Sequence, residues 1–453
     1  MNINKNIFRG YDIRGLYPID VNSEVANIIG RSFGTYVKRL GKDTCIVGRD
    51  NRYSSLELSK SLIDGILSTG VNVIDLGLVT TPMYYYACII KNNPTGIMVT
   101  ASHNPKDDNG FKFAFDERGN ARGEMIEEFR DFTLKGEFDS GTGILTKYDV
   151  RDEYIKLMLS SINLGNRPLK VVLDLGNGTT SCIAKDIYYR FPIDIEVIYG
   201  ESDSSFPNHH PDPGVEENLS SLKRKVLELD ADLGIGFDGD GDRIGIIDEK
   251  GNYIPTDKYM IIIIRDIINK VKDKKFLFDV KCTKALEDEI IKLGGNPICY
   301  KTGNSYVKSK IKEDNIPFGG ELSGHIYFND NFPGFDSGIY SGLRLIEILS
   351  NTNKNLSDLL EGINHYESTP EIKFISSDDK KFLVIDKIKE YCIDKRYNIL
   401  TIDGVKVNFI DGWAVIRCSN TGPAITARFE ATNKERLKEI EDEFINLIKE
   451  FNK

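Results

Sequence analysis

The sequence predicts an α/β protein: three related α/β domains in tandem with mixed sheets, followed by a smaller α+β domain. Three observations carry this reading. One pattern starts near residues 45, 171 and 276: a short apolar strand, a polar loop, then a helix. That spacing is the size of one small α/β domain. Strands alternating with helices imply mostly parallel pairing within each sheet. After about residue 367 the order changes to several strands closed by a long amphipathic helix. The expected domains are 1–150, 151–253, 254–367 and 368–453.

Composition sets outer bounds. The chain has 453 residues, 40% hydrophobic and 28% charged, which is ordinary for a globular protein of several domains. A net charge of −10 argues against a nucleic-acid binder, although a cleft on an acidic protein can be locally positive. Seven cysteines without a CxxC pair argue against a disulfide framework and suit a reducing cytoplasm. The start, Met1-Asn2-Ile3-Asn4-Lys5, has no apolar signal core, and the apolar run 259–264 is far too short to span a bilayer. The expectation is a cytoplasmic protein with neither a membrane nor a nucleic-acid partner.

In the first segment, Phe8-Arg9-Gly10-Tyr11-Asp12-Ile13-Arg14-Gly15 places two arginines among glycines. Such a loop contacts anions or is a solvated turn. A helix is expected over 23–40, a strand over 45–47, and a helix start capped at Ser54-Ser55. The apolar run 96–99 reads as a buried strand ending at Thr100-Ala101-Ser102-His103-Asn104-Pro105. Polar loops at the ends of buried strands are where open α/β sheets place ligands. Ser102 is the candidate nucleophile there, though a turn hydroxyl would read the same way.

The second segment carries the strand 171–174, the loop Gly176-Asn177-Gly178 and a helix from near 180. The stretch Pro207-Asn208-His209-His210-Pro211-Asp212-Pro213 reads as a rigid surface loop; adjacent histidines rarely point at one ion. Between two short apolar strands lies Asp238-Gly239-Asp240-Gly241-Asp242-Arg243. Carboxylates at alternate positions of an extended loop can face one way, and the glycines allow tight folding. Three clustered carboxylates repel one another unless a hard divalent cation is shared. Mg²⁺ suits few carboxylates plus a phosphate oxygen. Gly234, Gly236 and Gly239 match a dinucleotide-binding pattern by letter, but Asp238 would repel a pyrophosphate and a strand follows. An EF-hand is excluded by Arg243 at its sixth position.

In the third segment the strand 276–279 leads into Lys281-Cys282-Thr283 and a helix near 284, and Gly319-Gly320-Glu321-Leu322-Ser323-Gly324-His325 forms a polar loop. The last segment is expected to hold strands over 370–375, 412–417 and 424–430 and helices over 382–391 and 437–451, with the loop Arg417-Cys418-Ser419-Asn420-Thr421 between strands.

Taken in order, the Tyr-Asp-Ile-Arg start, the serine loop, the Asp-Gly-Asp-Gly-Asp-Arg loop, Gly-Glu-Leu-Ser-Gly-His and Arg-Cys-Ser-Asn-Thr-Gly-Pro resemble the α-D-phosphohexomutase superfamily, and most closely its bacterial phosphomannomutase/phosphoglucomutase branch. The likeness covers nearly the whole chain. It implies four domains around a central cleft, and a phosphoserine at Ser102 that exchanges a phosphoryl group with a hexose phosphate through a hexose 1,6-bisphosphate, which also serves as activator. It implies one Mg²⁺ held by Asp238, Asp240, Asp242 and Ser102. Arg14, Lys112 and Arg243 are implied near the transferring group, with Lys112 as a proton acceptor and His103 as support for the site. Tyr11, Lys281, Asn304, Glu321, Ser323 and His325 are implied to contact the sugar. Arg417, Ser419, Asn420 and Thr421 are implied to clamp the phosphate that is not transferred; the fork of arginine matches phosphate geometry.

The sequence departs from that branch at Asn304, where relatives often carry His; Asn keeps a donor but does not titrate. Leu322 stands where a phosphoglucosamine mutase typically carries Gln, which ranks that sibling below a glucose or mannose enzyme; a phosphopentomutase is a further alternative within the superfamily. A phosphatase using the same serine and metal is the alternative of another class. The expected partners are small sugar phosphates, and the expected state is a monomer, with a dimer left open.

Overall fold

The three α/β sheets repeat one device: parallel strands form the core, and a hairpin turns the last of them back antiparallel. In the computed structural model, which describes residues 3–419 and 422–453, the first sheet runs Ile13–Leu16, Asp108–Ala114, Gly96–Val99, Thr44–Arg49, Asn72–Leu78, Leu145–Lys147. Thr44–Arg49 pairs in parallel on both sides, whereas Asp108–Ala114 folds back antiparallel on Gly96–Val99. Gly96–Val99 is buried along its whole length. That is why it reads as an unbroken apolar run instead of an alternating one.

The second sheet runs Tyr253–Ile254, Ile244–Asp248, Leu233–Phe237, Lys170–Asp174, Asp194–Ile198, and the third Asn296–Tyr300, Lys275–Asp279, Phe318–Gly320, Ile326–Phe328. The aspartate loop is the turn between the antiparallel strands Leu233–Phe237 and Ile244–Asp248. The loop carrying Glu321 and His325 is the turn between Phe318–Gly320 and Ile326–Phe328. The serine loop occupies the same position in the first sheet. Three hairpin turns at equivalent places thus carry the three chemically distinctive motifs.

The fourth domain is antiparallel throughout. Ala424–Ala431 is flanked by Gly412–Cys418 on one side and by Glu367–Ser368 and Ile372–Ile375 on the other, with Val405–Phe409 and Asn398–Leu400 beyond. Helix Lys434–Phe451 buries Ile440, Phe444 and Ile448, one stripe at a spacing of four. The second and third domains share an apolar core: Val171 and Ile235 belong to the same buried cluster as Phe276, Ile339 and Leu343.

Two local expectations change. Ser54 does not cap the following helix with its side chain; its Oγ accepts from Asn109 Nδ2 at 2.7 Å instead. After Gly178 the chain makes a 3-10 turn, Thr179–Cys182, and a helix of only five residues, Ala184–Tyr188. The Thr179 hydroxyl is engaged by Asn51 of the first domain, whose N–H donates to it at 3.1 Å. His209 places Nε2 3.1 Å from both Asp174 carboxylate oxygens and Nδ1 2.9 Å from the His210 carbonyl. The adjacent histidines therefore do not share an ion. Among the described residues no helix is long and apolar enough to cross a membrane.

Candidate active site

Ser102 sits at the end of Gly96–Val99 with a left-handed φ of 51° and is buried. Two residues fix this backbone. The Thr100 hydroxyl accepts from the Ser102 N–H at 2.8 Å. Arg52, fully buried, donates to four carbonyls of the loop: Ser102 at 2.8 Å, Asn104 and Pro105 at 2.6 Å, and Asp108 at 3.0 Å. Arg14 adds donors to the Ala101 carbonyl and to Asn104 Oδ1, and is itself held by Asp12 at 2.8 Å. The Ser102 hydroxyl thereby reaches out of its own domain and donates to Asp238 Oδ2 at 2.9 Å.

The aspartate loop meets it from the second domain. Asp238, Asp240 and Asp242 are wholly buried, and one oxygen of each lies within 4.8 Å of the others. Asp238 Oδ1 accepts from the N–H groups of Gly241 and Arg243 at 3.0 and 3.1 Å, which closes the loop on itself. Two helix N-termini from other domains hold its backbone: the Thr81 N–H donates to the Asp240 carbonyl at 2.9 Å, and the Gly338 N–H to the Gly241 carbonyl at 3.1 Å. Both place positive helix ends beside the carboxylates. Asp240 Oδ2 accepts from Thr81 Oγ1 at 2.6 Å.

Lys112 stands between the two loops, 2.8 Å from Asp240 and 2.7 Å from Asp242. Burial opposes its charge, but the two carboxylates outweigh this and hold the ammonium well above its ordinary pKa. Burial, then Asp242 and Asp240, push the Asp238 carboxyl well above the usual carboxylate range. For Asp240 the burial penalty is outweighed by Lys112, and its pKa is lowered. Asp240 Oδ1 and Asp242 Oδ1 are buried without a hydrogen-bond partner among the described residues. Such unpaired buried oxygens are costly, and their convergence fits a hard divalent cation.

From the third domain, His325 contacts the same cluster. Its Nδ1 is 2.7 Å from Asp336 Oδ2 and 3.5 Å from Asp242, and its Nε2 accepts from Arg243 Nε at 3.0 Å. Accepting at Nε2 requires the proton on Nδ1, a tautomer that Asp336 fixes. Asn304, first residue of the helix Asn304–Glu313, directs Nδ2 to Asp336 and lies 3.3 Å from His325 Nδ1. Glu321, buried, accepts from the Gly303 N–H at 2.6 Å and from the Tyr327 hydroxyl at 3.1 Å; burial raises its pKa. Tyr11 is half-buried near Gly303. His103 Nδ1 lies 3.3 Å from Ser102 Oγ, and burial, then Arg243 and Arg14, keep its ring well below the usual imidazole pKa. Ser323 is half-buried in the Glu321 loop.

The fourth domain closes the row. Lys281 pairs with Glu371 at 3.0 Å. Asp403 Oδ2 accepts from the Thr302 N–H at 3.0 Å and from Arg417 Nε at 2.8 Å, joining the two domains. One arm of the buried Arg417 guanidinium, Nη2, has no hydrogen-bond partner among the described residues. The Ser419 N–H donates to the Ala424 carbonyl at 2.8 Å. Asn420 and Thr421 lie outside the described residues. An unbroken series of contacts thus runs from Ser102 through Asp238, Arg243 and His325 of successive domains, and the third domain is tied to Arg417. Sequence reasoning missed Arg52, Asp336 and Asp403, each a single residue outside the motif strings.

Four family models match the chain in order: phosphoglucomutase/phosphomannomutase α/β/α domain I over 5–140, domain II over 152–251, domain III over 255–366, and the C-terminal domain over 371–447. A phosphomannomutase/phosphoglucomutase of Pseudomonas aeruginosa is 40% identical over 98% of this chain and 96% of its own length. A phosphoglucomutase of Neisseria meningitidis is 36% identical over 99% of this chain and 97% of its own. The crystal structure of a phosphoglucomutase/phosphomannomutase family protein from Burkholderia thailandensis superposes with a TM-score of 0.91 at 37% identity, covering 99% of this chain and 98% of that one.

Proposed function

Because this chain belongs to the phosphoglucomutase/phosphomannomutase family, we propose that it interconverts the 1-phosphates and 6-phosphates of glucose and mannose through a phosphoserine at Ser102. The observation that carries the reading is the Ser102 hydroxyl, held 2.9 Å from Asp238 beside two unpaired buried carboxylate oxygens.

Asp238, Asp240 and Asp242 would hold one Mg²⁺, with Ser102 or its phosphate as a further ligand. The ion supplies charge neutralisation on the transferring phosphoryl group. The chain's own residues do the rest. Arg52 and Arg14 fix the serine loop, so that the nucleophile needs little reorganisation. The Lys112 ammonium, between Asp240 and Asp242, and Arg243 present positive charge where phosphoryl oxygens gather. His325, protonated on Nδ1 by its bond to Asp336, supports the guanidinium of Arg243. Glu321, Ser323, Asn304, Tyr11 and Lys281 face the sugar, and Glu321 accepts its hydroxyls. Arg417 uses its unpartnered arm on the distal phosphate, beside Ser419, Asn420 and Thr421. The sugar 1,6-bisphosphate that forms must turn over before Ser102 recovers a phosphoryl group, and it primes the unphosphorylated enzyme as activator.

Incubation with glucose 1,6-bisphosphate followed by intact-protein mass spectrometry tests this. One added phosphate on the wild type and none on Ser102→Ala is expected. Ser102→Ala should also lower turnover by about 10³-fold or more. A coupled assay on glucose and mannose 1-phosphates should show isomerised product without stoichiometric phosphate release. Net release of inorganic phosphate would make the enzyme a phosphatase.

A further inference from the structure

A cavity of about 570 Å³ lies between the first and third domains. Its size is that of a small-molecule pocket. The helix Thr81–Ile90 and the loop 115–120 form one wall; the helix Asn304–Glu313 and the segment 333–335 form the other. Tyr85, Ile89, Pro94 and Phe335 form its apolar side, and Glu117, Asn120, Lys312 and Asn329 are among its polar lining.

Of the two lysines in the lining, Lys308 is the one that reaches an aromatic ring. Lys308 Nζ stands 3.1 Å from the centroid of the Tyr85 ring. Among the described residues, no carboxylate lies within 4.0 Å of it and no hydrogen-bond acceptor reaches it, whereas Lys112 and Lys281 are both paired with acids. Asp336 and Asp242 act on Lys308 only at longer range, and burial pulls its ammonium down to about 7. A ring face replaces only part of what a counter-ion supplies. Two other cations line the cavity: Arg118, which pairs with Asp116 at 2.7 Å, and Lys312, which is exposed at its rim.

We propose that this cavity is a second ligand site, which takes a small organic monoanion: a carboxylate on Lys308 and an aromatic body against Tyr84, Tyr85 and Phe335. Lys308, set against an aromatic ring without a counter-ion among the described residues, suits a carboxylate carried on an aromatic body, while Lys312 stays solvated at the rim; the apolar part of the lining favours a body that water disfavours. The site is separate from the sugar-phosphate residues, yet Lys308 is one turn along the helix whose first residue, Asn304, reaches Asp336.

The test uses the full chain and two probes, 2-naphthoate and its neutral analogue 2-naphthylmethanol, titrated by calorimetry with saturating glucose 1-phosphate present. The expected result is naphthoate binding that survives the sugar phosphate. That binding should weaken about tenfold or more in Lys308→Gln and stay within about threefold in Lys308→Arg, since a charge-assisted hydrogen bond is lost in one and kept in the other. Displacement of naphthoate by glucose 1-phosphate would overturn the proposal, as would equal affinity in Lys308→Gln. If Lys308→Gln melts as an unfolded chain, the wild type still decides: the alcohol binding as tightly as the acid would also overturn it.

Discussion

Lys112 is buried and Lys308 half-buried, and the pKa values of their ammonium groups move in opposite directions. Lys112 has two carboxylate partners and stays charged; Lys308 has an aromatic ring and is pulled down to about 7 from an ordinary 10.5. Between those two values the unfolded chain binds more protons at Lys308 than the folded one, so stability rises with pH across that window. Below about 7 the full penalty applies. Lys308→Met should therefore melt higher than wild type at pH 7, with the advantage shrinking as pH climbs toward 10; a constant difference across that range would contradict the desolvated amine. At the acidic cluster, Asp240→Asn removes a carboxylate that binds Lys112, Thr81 and Thr100. Calorimetric titration should find Mg²⁺ bound about tenfold more weakly or worse, and activity should fall with it. Affinity equal to wild type would remove Asp240 from the metal site.

Contiguity decided which residues could be read in advance. Ser102, the three aspartates, Glu321 and His325 sit in short polar strings between apolar strands, where residue type and spacing carry the chemistry. Arg52 looks like any loop arginine in the sequence; only the fold brings its guanidinium under four carbonyls fifty or more residues away. Asp336 is equally silent until His325 is placed 2.7 Å from it.

Among elements, the serine and aspartate hairpins touch at their tips. A Cβ on Gly239 would come within 2.5 Å of the Ser102 carbonyl oxygen, so only glycine allows this approach. Gly239→Ala should separate the hairpins without unfolding either sheet. The expected outcome is a loss of turnover of about tenfold or more, since small misplacements of reacting groups are costly, with a melting temperature within a few degrees of wild type. Normal turnover would mean that this contact does not set the geometry. Strands and most helices were legible from apolar runs and periodicity: the helix expected over 23–40 is Ser23–Arg39, and that expected over 437–451 is Lys434–Phe451. The helix expected near 180 begins as the 3-10 turn Thr179–Cys182 and continues as the short helix Ala184–Tyr188.

At the scale of the molecule, the fourth domain rests on main-chain groups of the third. Lys406 donates to the Val280 carbonyl at 2.9 Å, Arg428 to the Lys281 carbonyl, and Glu430 accepts from the Lys284 N–H at 2.7 Å. Trp413 and Val415 pack on Val280. Lys281–Glu371 crosses the same boundary. Glu371→Gln should loosen this docking and give a larger radius of gyration by small-angle scattering in the free enzyme, with saturating glucose 1-phosphate bringing variant and wild type to the same value. Equal radii without ligand would rule out this ion pair as a latch.

The order of the four hairpin turns along the chain has a consequence in time. Ser102, Asp238 and Glu321 emerge from the ribosome in that sequence, and Arg417 follows nearly a hundred residues after Glu321. At the usual pace of about 5–20 residues per second, the three sheets have several seconds to fold while the last turn is still unmade. During that interval the nascent chain already holds its nucleophile and acidic cluster but lacks Arg417. A chain interrupted there would be open to water on the side that the fourth domain covers.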